Sequence, residues 1–416
     1  MQTPHRVLFV NEEPSILDGF QDLLHKQRHL WEMVFSLGEA AALAELQKGP
    51  FDVVVTDMRL PGLQGAAFLT AVKEAYPHIA RIALSGQAER EALLKALPVA
   101  HHLLTKPCDG ELLRIVIERA CRLQRLLHDE TIRKAVGRLE NLPSSATIYR
   151  ELTQALSDPD VGLAAVAAVV EKDPAISAKV LQLVNSAYFG LSRRVTSILQ
   201  ATVYLGSDTI RGLVLTSQIF SLLDRSSALG LSIERLQQHS LMTARLAKQL
   251  VRNQRVADDA FTAGLLHDIG QIALAVCMRE QFARVLWEVR STGRPLHEVE
   301  CEQLGVSHAE VGAYLLGIWG LPFSVVEAVA YHHRPSLIGD GDREALAAVH
   351  VADALLDMRD EIPSAEAGLD TGFLECSGWS ALVPTGRALM ATAFATAPEA
   401  PATRPVPATV SEWRRS

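Results

Sequence analysis

Five short runs rich in β-branched residues, Arg6–Val10, Trp31–Ser36, Phe51–Thr56, Ala80–Leu84 and His102–Thr105, alternate with amphipathic stretches over the first 120 residues. Beyond them the alternation stops. Strand and helix in regular alternation bury their apolar faces as a parallel sheet with helices on both sides, because every parallel crossover brings a covering helix with it. The helical patterns fall between the runs, at Ser15–Leu24, Gly38–Lys48 and Gly65–Ala75. The third run reads as a central strand covered on both faces.

From Glu111 to Leu139 almost nothing breaks a helix, and Val116, Ala120, Leu123 and Leu127 follow one another at heptad-like steps. The stretch reads as the last helix of the first unit running on into a connector, with a short dimerising coiled coil, and hence a homodimer, as the alternative. A break is expected at Asn141-Leu142-Pro143. From Pro143 to about Arg359 alanine, leucine and valine recur at helical spacing, and Asp158-Pro159-Asp160 and Asp173-Pro174 are helix starts, an acidic cap followed by proline. This region is expected to be all helix. After Ile362 the signal weakens, and the last stretch, with four prolines, reads as a mobile tail.

A chain of 416 residues that is 48% hydrophobic has material for two or three packed cores, which excludes disorder for its bulk. The net charge of −8, without a basic stripe, argues against nucleic acid and anionic membrane as partners. No apolar run is seen to approach the roughly 20 residues that span a bilayer, and the N-terminus lacks the pattern of a secretory signal. The five cysteines include no C-x-x-C spacing and read as free thiols of a reducing, cytoplasmic compartment.

Ligands of an open parallel sheet bind beyond the carboxyl ends of its strands. Those ends carry Asn11, Glu12 and Glu13 after the first strand, Asp57 after the third, Ser85 after the fourth and Lys106 after the fifth. Carboxylates, a hydroxyl and a lysine converging there suit Mg²⁺ with a phosphoryl group. Asp57 is the candidate nucleophile. Lys106 would neutralise phosphoryl oxygens and Ser85 donate to one.

The segments VLFVNEEPSIL, VVVTDMRLPGLQG, ALSG and LLTKPCD resemble a response-regulator receiver domain over residues 5 to about 122. The resemblance implies a flavodoxin-like doubly wound (βα)5 fold, phosphorylation of Asp57 by a sensor histidine kinase, and Mg²⁺ held by Glu12, Asp57 and the main-chain carbonyl of Arg59. The chain departs from that family at Asn11 and Glu12, where two aspartates are usual, and at Leu103, where a switch aromatic is usual.

The helical region holds a second set of chemistry-bearing residues, His239, His267-Asp268, His308, His332-His333 and Asp353, with His297 read as a surface residue. In LLHDIG an apolar helix delivers an adjacent His–Asp pair, and AVAYHHRP delivers two histidines in the same way. Imidazole and carboxylate together suit a transition metal such as Fe, Mn or Zn. Buried, hydrogen-bonded structural residues are the plain alternative.

The motifs NLPSSATIYREL, AGLLHDIG, VSHAEVGAYLLGIWGLP and AVAYHHRP resemble the HDOD domain, a helical relative of the HD phosphohydrolases, over residues 142 to about 355. His239, His267, Asp268 and Asp353 match the one-metal pattern of HD hydrolases, and His308, His332 and His333 resemble further ligands of two-metal HD-GYP phosphodiesterases. Gln271 stands where those enzymes have a lysine, and no Gly-Tyr-Pro segment occurs.

The expected layout is multidomain, α/β plus all-α: a receiver at 1–123, a helical linker at 124–141, an HDOD domain at 142–360 and a C-terminal segment at 361–416. The expected function is a two-component response regulator whose Asp57 phosphorylation controls a non-catalytic HDOD domain acting on a downstream protein. A receiver-gated metal-dependent phosphodiesterase, acting on cyclic di-GMP, is the alternative.

Overall fold

The computed structural model describes residues 5–58, 65–86, 99–100, 102–106, 110–127, 129–139, 142, 144, 146–157, 161–185, 194–216, 231–338, 343–359 and 368–395. Five parallel strands, β1 (His5–Asn11), β2 (Trp31–Leu37), β3 (Val53–Asp57), β4 (Ala80–Gly86) and β5 (His102–Lys106), form one sheet in the order β2-β1-β3-β4-β5. The pleat sorts their side chains by parity. Leu8, Val10 and Val54 pack with Ala42, Leu46, Phe68 and Leu69 of α2 (Glu39–Lys48) and α3 (Gly65–Ala75). Val7, Phe9, Val53 and Val55 pack with Leu17 of α1 (Pro14–Leu23) and Leu113, Val116 and Ile117 of α4 (Gly110–Leu126). Helices on both faces make the sheet doubly wound, as expected.

The long connector helix is not continuous. α4 ends at Leu126 and α5 (Glu130–Gly137) starts anew, because Asp129 caps it by accepting from the Thr131 and Ile132 amides at 2.7 and 3.2 Å. Val116 and Ala120 of the heptad-like row are buried against the protein's own sheet, and Leu127 enters the helical core. These three of the row's four residues are thus buried within one chain, and the side chain of Leu123 lies outside what the structure describes.

The helical half continues with α6 (Ala146–Ser157), α7 (Leu163–Val170), α8 (Pro174–Val184), α9 (Ile198–Thr216), α10 (Ile233–Leu250), α11 (Gln254–Leu266), α12 (Ile269–Cys277), α13 (Arg279–Thr292), α14 (Leu296–Leu304), α15 (His308–Ile318), α16 (Phe323–Tyr331), α17 (Arg343–Arg359), α18 (Thr371–Ser377) and α19 (Leu382–Ala395). Asp173 caps α8 as its sequence suggested, accepting from Ala175 and Ile176, and is itself buried under Ser144 and Gln237. One core runs from Leu127 through Ile132 and Val136 to Phe373, Leu374 and Leu382. The connector and the weakly patterned C-terminal segment therefore both pack into it.

Contrary to the sequence reading, Gln254–Cys277 is long and apolar enough to cross a membrane. It is two core helices meeting at His267 and Asp268, with 78% of its most apolar window buried. The expected helix start at Asp158-Pro159-Asp160 and the proline-rich tail lie outside the described residues. The four described cysteines, Cys121, Cys277, Cys301 and Cys376, form no disulfide among the described residues.

Candidate functional site

The strand ends bring Asn11, Asp57 and Lys106 together. Asp57 is buried at the end of β3, and the Lys106 ammonium pairs with its Oδ2. Asn11, also buried, donates from Nδ2 to the same oxygen at 3.4 Å, while its Oδ1 accepts the Glu13 amide at 2.9 Å. Asn11 is thus fixed as a neutral donor at a position where receiver domains usually carry an aspartate. Gly65 starts α3 so close to the end of β3 that a Cβ would stand 2.4 Å from the Asp57 main-chain carbonyl oxygen. The Glu12 carboxylate lies over Gly38, 3.3 Å from where a Cβ would be, and beside Glu39. Burial, helped by that neighbouring charge, pushes the Glu39 carboxyl up. Arg59 and the side chains of Ser85 and Leu103 lie outside what the structure describes.

All seven residues of the second set converge. His239 comes from the middle of α10 and Asp353 from α17, with His239 Nε2 at 2.9 Å from Asp353 Oδ1. His267 caps the end of α11 and Asp268 occupies the break before α12. His267 Nε2 lies 3.2 Å from Asp353 and 3.4 Å from Asp268. His308 opens α15 and reaches Asp268 at 3.2 Å, and His333, just after α16, sets its Nε2 3.0 Å from His308 Nε2. His332 ends α16.

The outer nitrogens are already committed. His267 Nδ1 donates to the Gly264 carbonyl at 2.7 Å and His332 Nδ1 to the Val329 carbonyl at 2.7 Å. His308 Nδ1 donates to Glu300 Oε2 at 2.6 Å. With each Nδ1 tied outward, each Nε2 faces inward, which is how proteins orient imidazole for a metal. His332 Nε2 is fully buried and has no hydrogen-bond partner. Leaving such an acceptor dry costs about 1–3 kcal/mol, so the observation favours a ligand there over a plain structural role.

Ligand atoms fall within 4.8 Å of one another in overlapping groups: His308, His332 and His333; His239, His267 and Asp268; His267, His332 and Asp353; and His239, Asp353 and Asp357. Burial alone would lower the His239 pKa, but the Asp353 hydrogen bond and charge, with Asp268 and Asp357, carry it up to about 10. His308 is likewise held well above its ordinary value against burial, by Glu300 and Asp268. Burial and the nearby imidazolium of His267 push His332 down to about 3. Asp357 is raised to about 8 by burial and by the Asp353 charge.

The cluster forms one wall of a cleft of about 690 Å³, a size that holds a small ligand. Arg235, Gln238, Gln271 and Asp357 are among its other polar lining, and Leu231, Met242 and Leu356 among its apolar lining. His297, read from the sequence as a surface residue, is half-buried at the edge of the cluster. Its ring stacks on His333 at 4.3 Å, and burial with the His308 charge lowers its pKa to about 4.

Sequence reasoning missed Glu300, Asp357 and Arg235. Asp357 and Arg235 sit one turn from Asp353 and His239, a spacing that places them on the same helix faces. Glu300 carried no such signal.

Residues 7–118 match the family model of the response regulator receiver domain, and residues 142–335 that of the HDOD domain. An uncharacterized protein of Treponema pallidum is 26% identical over 232 residues, 54% of this chain and 44% of its own length. The hydrogenase transcriptional regulatory protein HoxA of Cupriavidus necator is 32% identical over 125 residues, 30% of this chain and 25% of its own. The MmoQ response regulator of Methylococcus capsulatus, a solved structure, is 22% identical with a TM-score of 0.45, over 60% of this chain and 90% of that one. The chain spans less than half the length of these two curated relatives. It carries an N-terminal response regulator receiver domain and a C-terminal HDOD domain.

Proposed function

We propose that this protein is a cytoplasmic two-component response regulator in which a sensor histidine kinase phosphorylates Asp57, and that the receiver thereby controls a non-catalytic HDOD domain engaging a downstream protein. The observation that carries the reading is the buried Asp57 carboxylate at the end of β3, paired with Lys106. The carboxylate attacks the phosphorus of the kinase's phosphohistidine, the P–N bond breaks and the imidazole leaves, while the Lys106 ammonium follows the charge onto the phosphoryl oxygens. Ser85, at the same end of β4, would donate to one of them.

Glu12, Asp57 and the Arg59 carbonyl would hold Mg²⁺, a donor set of few carboxylates that fits this ion. When bound, Mg²⁺ supplies positive charge against the phosphoryl group. Asn11 adds no charge to that set, so Mg²⁺ affinity is modest. The test is intact mass after acetyl phosphate and Mg²⁺. Wild type should gain one phosphoryl group and Asp57→Asn none; equal gain in both would refute the assignment.

In the helical domain, His239, His267, Asp268, His308, His332, His333 and Asp353 would hold Fe, Mn or Zn, and the dry His332 Nε2 supports this. The metal serves the fold of an interaction domain. The cleft beside the cluster is the one observation favouring the alternative, a metal-dependent phosphodiesterase for cyclic di-GMP.

A further inference from the structure

The receiver rests on the helical domain through the amino ends of its strands, the end opposite Asp57. Tyr314 of α15, fully buried, donates its hydroxyl to the His78 carbonyl just before β4, at 3.1 Å. Gly137 of α5 approaches so closely that a Cβ there would stand 2.5 Å from the Pro77 carbonyl. Arg119 of α4 lies over the Phe323 ring at the start of α16, 5.5 Å from its centre. Burial, with the charges of Arg194 and Arg119, pushes His102 at the start of β5 down to about 3. Arg194 is tied to the helical side through the Asn185 and Gly320 carbonyls, at 2.7 and 3.0 Å.

The two helices that receive this contact also carry half of the cluster. α15 begins with His308 and meets the receiver at Tyr314, six residues or about 9 Å along its axis. α16 meets the receiver at Phe323 and delivers His332 and His333 at its other end, about 13 Å on. His308, His332 and His333 form one ligand group by themselves. The remaining ligands, His239, His267, Asp268 and Asp353, come from α10, the α11–α12 break and α17. At its cluster end α15 has no slack: a Cβ on Gly270 of α12 would stand 1.9 Å from the His308 carbonyl oxygen. Helices packed this closely move as units, so a shift at the receiver contact reaches the imidazoles.

We propose that the receiver regulates the metal centre through α15 and α16, and that it acts on the His308–His332–His333 half of the cluster. The route is the docking face at the strand starts, to which Arg119 of α4 and Gly137 of α5 contribute, rather than a lever along one continuous helix, which Asp129 interrupts. The proposal rests on the metal and phosphorylation readings above. Because coupling is reciprocal, metal occupancy and receiver state bias one another.

The test uses the full chain with Mg²⁺ and acetyl phosphate, with intact mass confirming phosphorylation. Amide hydrogen exchange and the Mn²⁺ dissociation constant are read on the same samples. Phosphorylation is expected to change exchange in residues 308–318 and 323–333 but not in 239–250, and to shift Mn²⁺ affinity at least threefold. Tyr314→Phe and Phe323→Leu leave Asp57 and every cluster residue in place. They should be phosphorylated normally and lose both responses. Unchanged exchange in the two helices of a phosphorylated chain overturns the proposal. Changed exchange without Mn²⁺ binding in either form upholds the route and refutes the metal reading, so the two failures are distinct.

Discussion

Metal binding to the histidine–aspartate cluster should release at least two protons near neutral pH. His239 sits at about 10, carried there against burial by Asp353, and His308 lies well above its ordinary value through Glu300 and Asp268. Both are imidazolium in the metal-free cluster, and the proton each must lose is on the inward Nε2 that a metal would take. Asp357, raised to about 8 by burial and Asp353, supplies a further proton if it joins the ligands. Each proton released steepens the affinity tenfold per pH unit, so two protons give roughly 100-fold tighter binding at pH 7 than at pH 6.

The same groups set the stability of the metal-free fold. A histidine raised on folding stabilises fully below its unfolded pKa of about 6.5, and the benefit fades as pH climbs towards about 10. Metal-free protein should therefore lose about 1.4 kcal/mol per pH unit for each extra proton the native state holds. Calorimetric titration with Mn²⁺ at pH 7, in buffers of different ionisation enthalpy, counts the protons directly. A count near zero, or an affinity unchanged between pH 6 and 7, would refute the charge assignment.

Other outcomes follow from single contacts. Gly270→Ala drives a Cβ into the His308 carbonyl, 1.9 Å away, and into the Gly312 amide; denaturant unfolding should show a loss of about 3 kcal/mol, and Mn²⁺ binding should weaken with it. Asn11→Asp replaces the neutral donor on Asp57 with a carboxylate and should lower the Mg²⁺ concentration for half-maximal acetyl phosphate labelling roughly tenfold, about 1.4 kcal/mol. Asp129→Ala removes the cap of α5 and should cost about 1 kcal/mol in thermal or denaturant unfolding, while leaving receiver labelling intact.

The strands were legible because β-branched runs at short, regular spacing leave a parallel sheet little alternative, and the ends of those strands named Asp57 and Lys106 without further help. The connector was misread because Leu, Arg, Glu and Ile sustain helix propensity straight through its end. The signal that mattered was local: Asp129 before Glu130 and Thr131, a cap inside a run of good helix formers. His267-Asp268 and His332-His333 announced themselves as polar pairs after apolar helices. Glu300 did not, since an acidic residue within LHEVECEQL looks like any solvated one until α15 packs His308 against it. His297 was misjudged for the same reason, because only the tertiary fold lays its ring on His333. The docking of the receiver on α15 and α16 rests on Tyr314, Phe323 and Arg119, residues whose types say nothing of partners on the other domain.

The cluster is expected to hold metal for a signalling domain rather than for turnover. Metal content and cyclic di-GMP hydrolysis, measured on one preparation of wild type and Asp268→Ala with added Mn²⁺ or Fe²⁺, address this most directly. Wild type should carry bound metal and hydrolyse nothing, and Asp268→Ala should lose metal and melt at a lower temperature. Metal-dependent hydrolysis by wild type that disappears in Asp268→Ala would contradict the account and make the protein a phosphodiesterase.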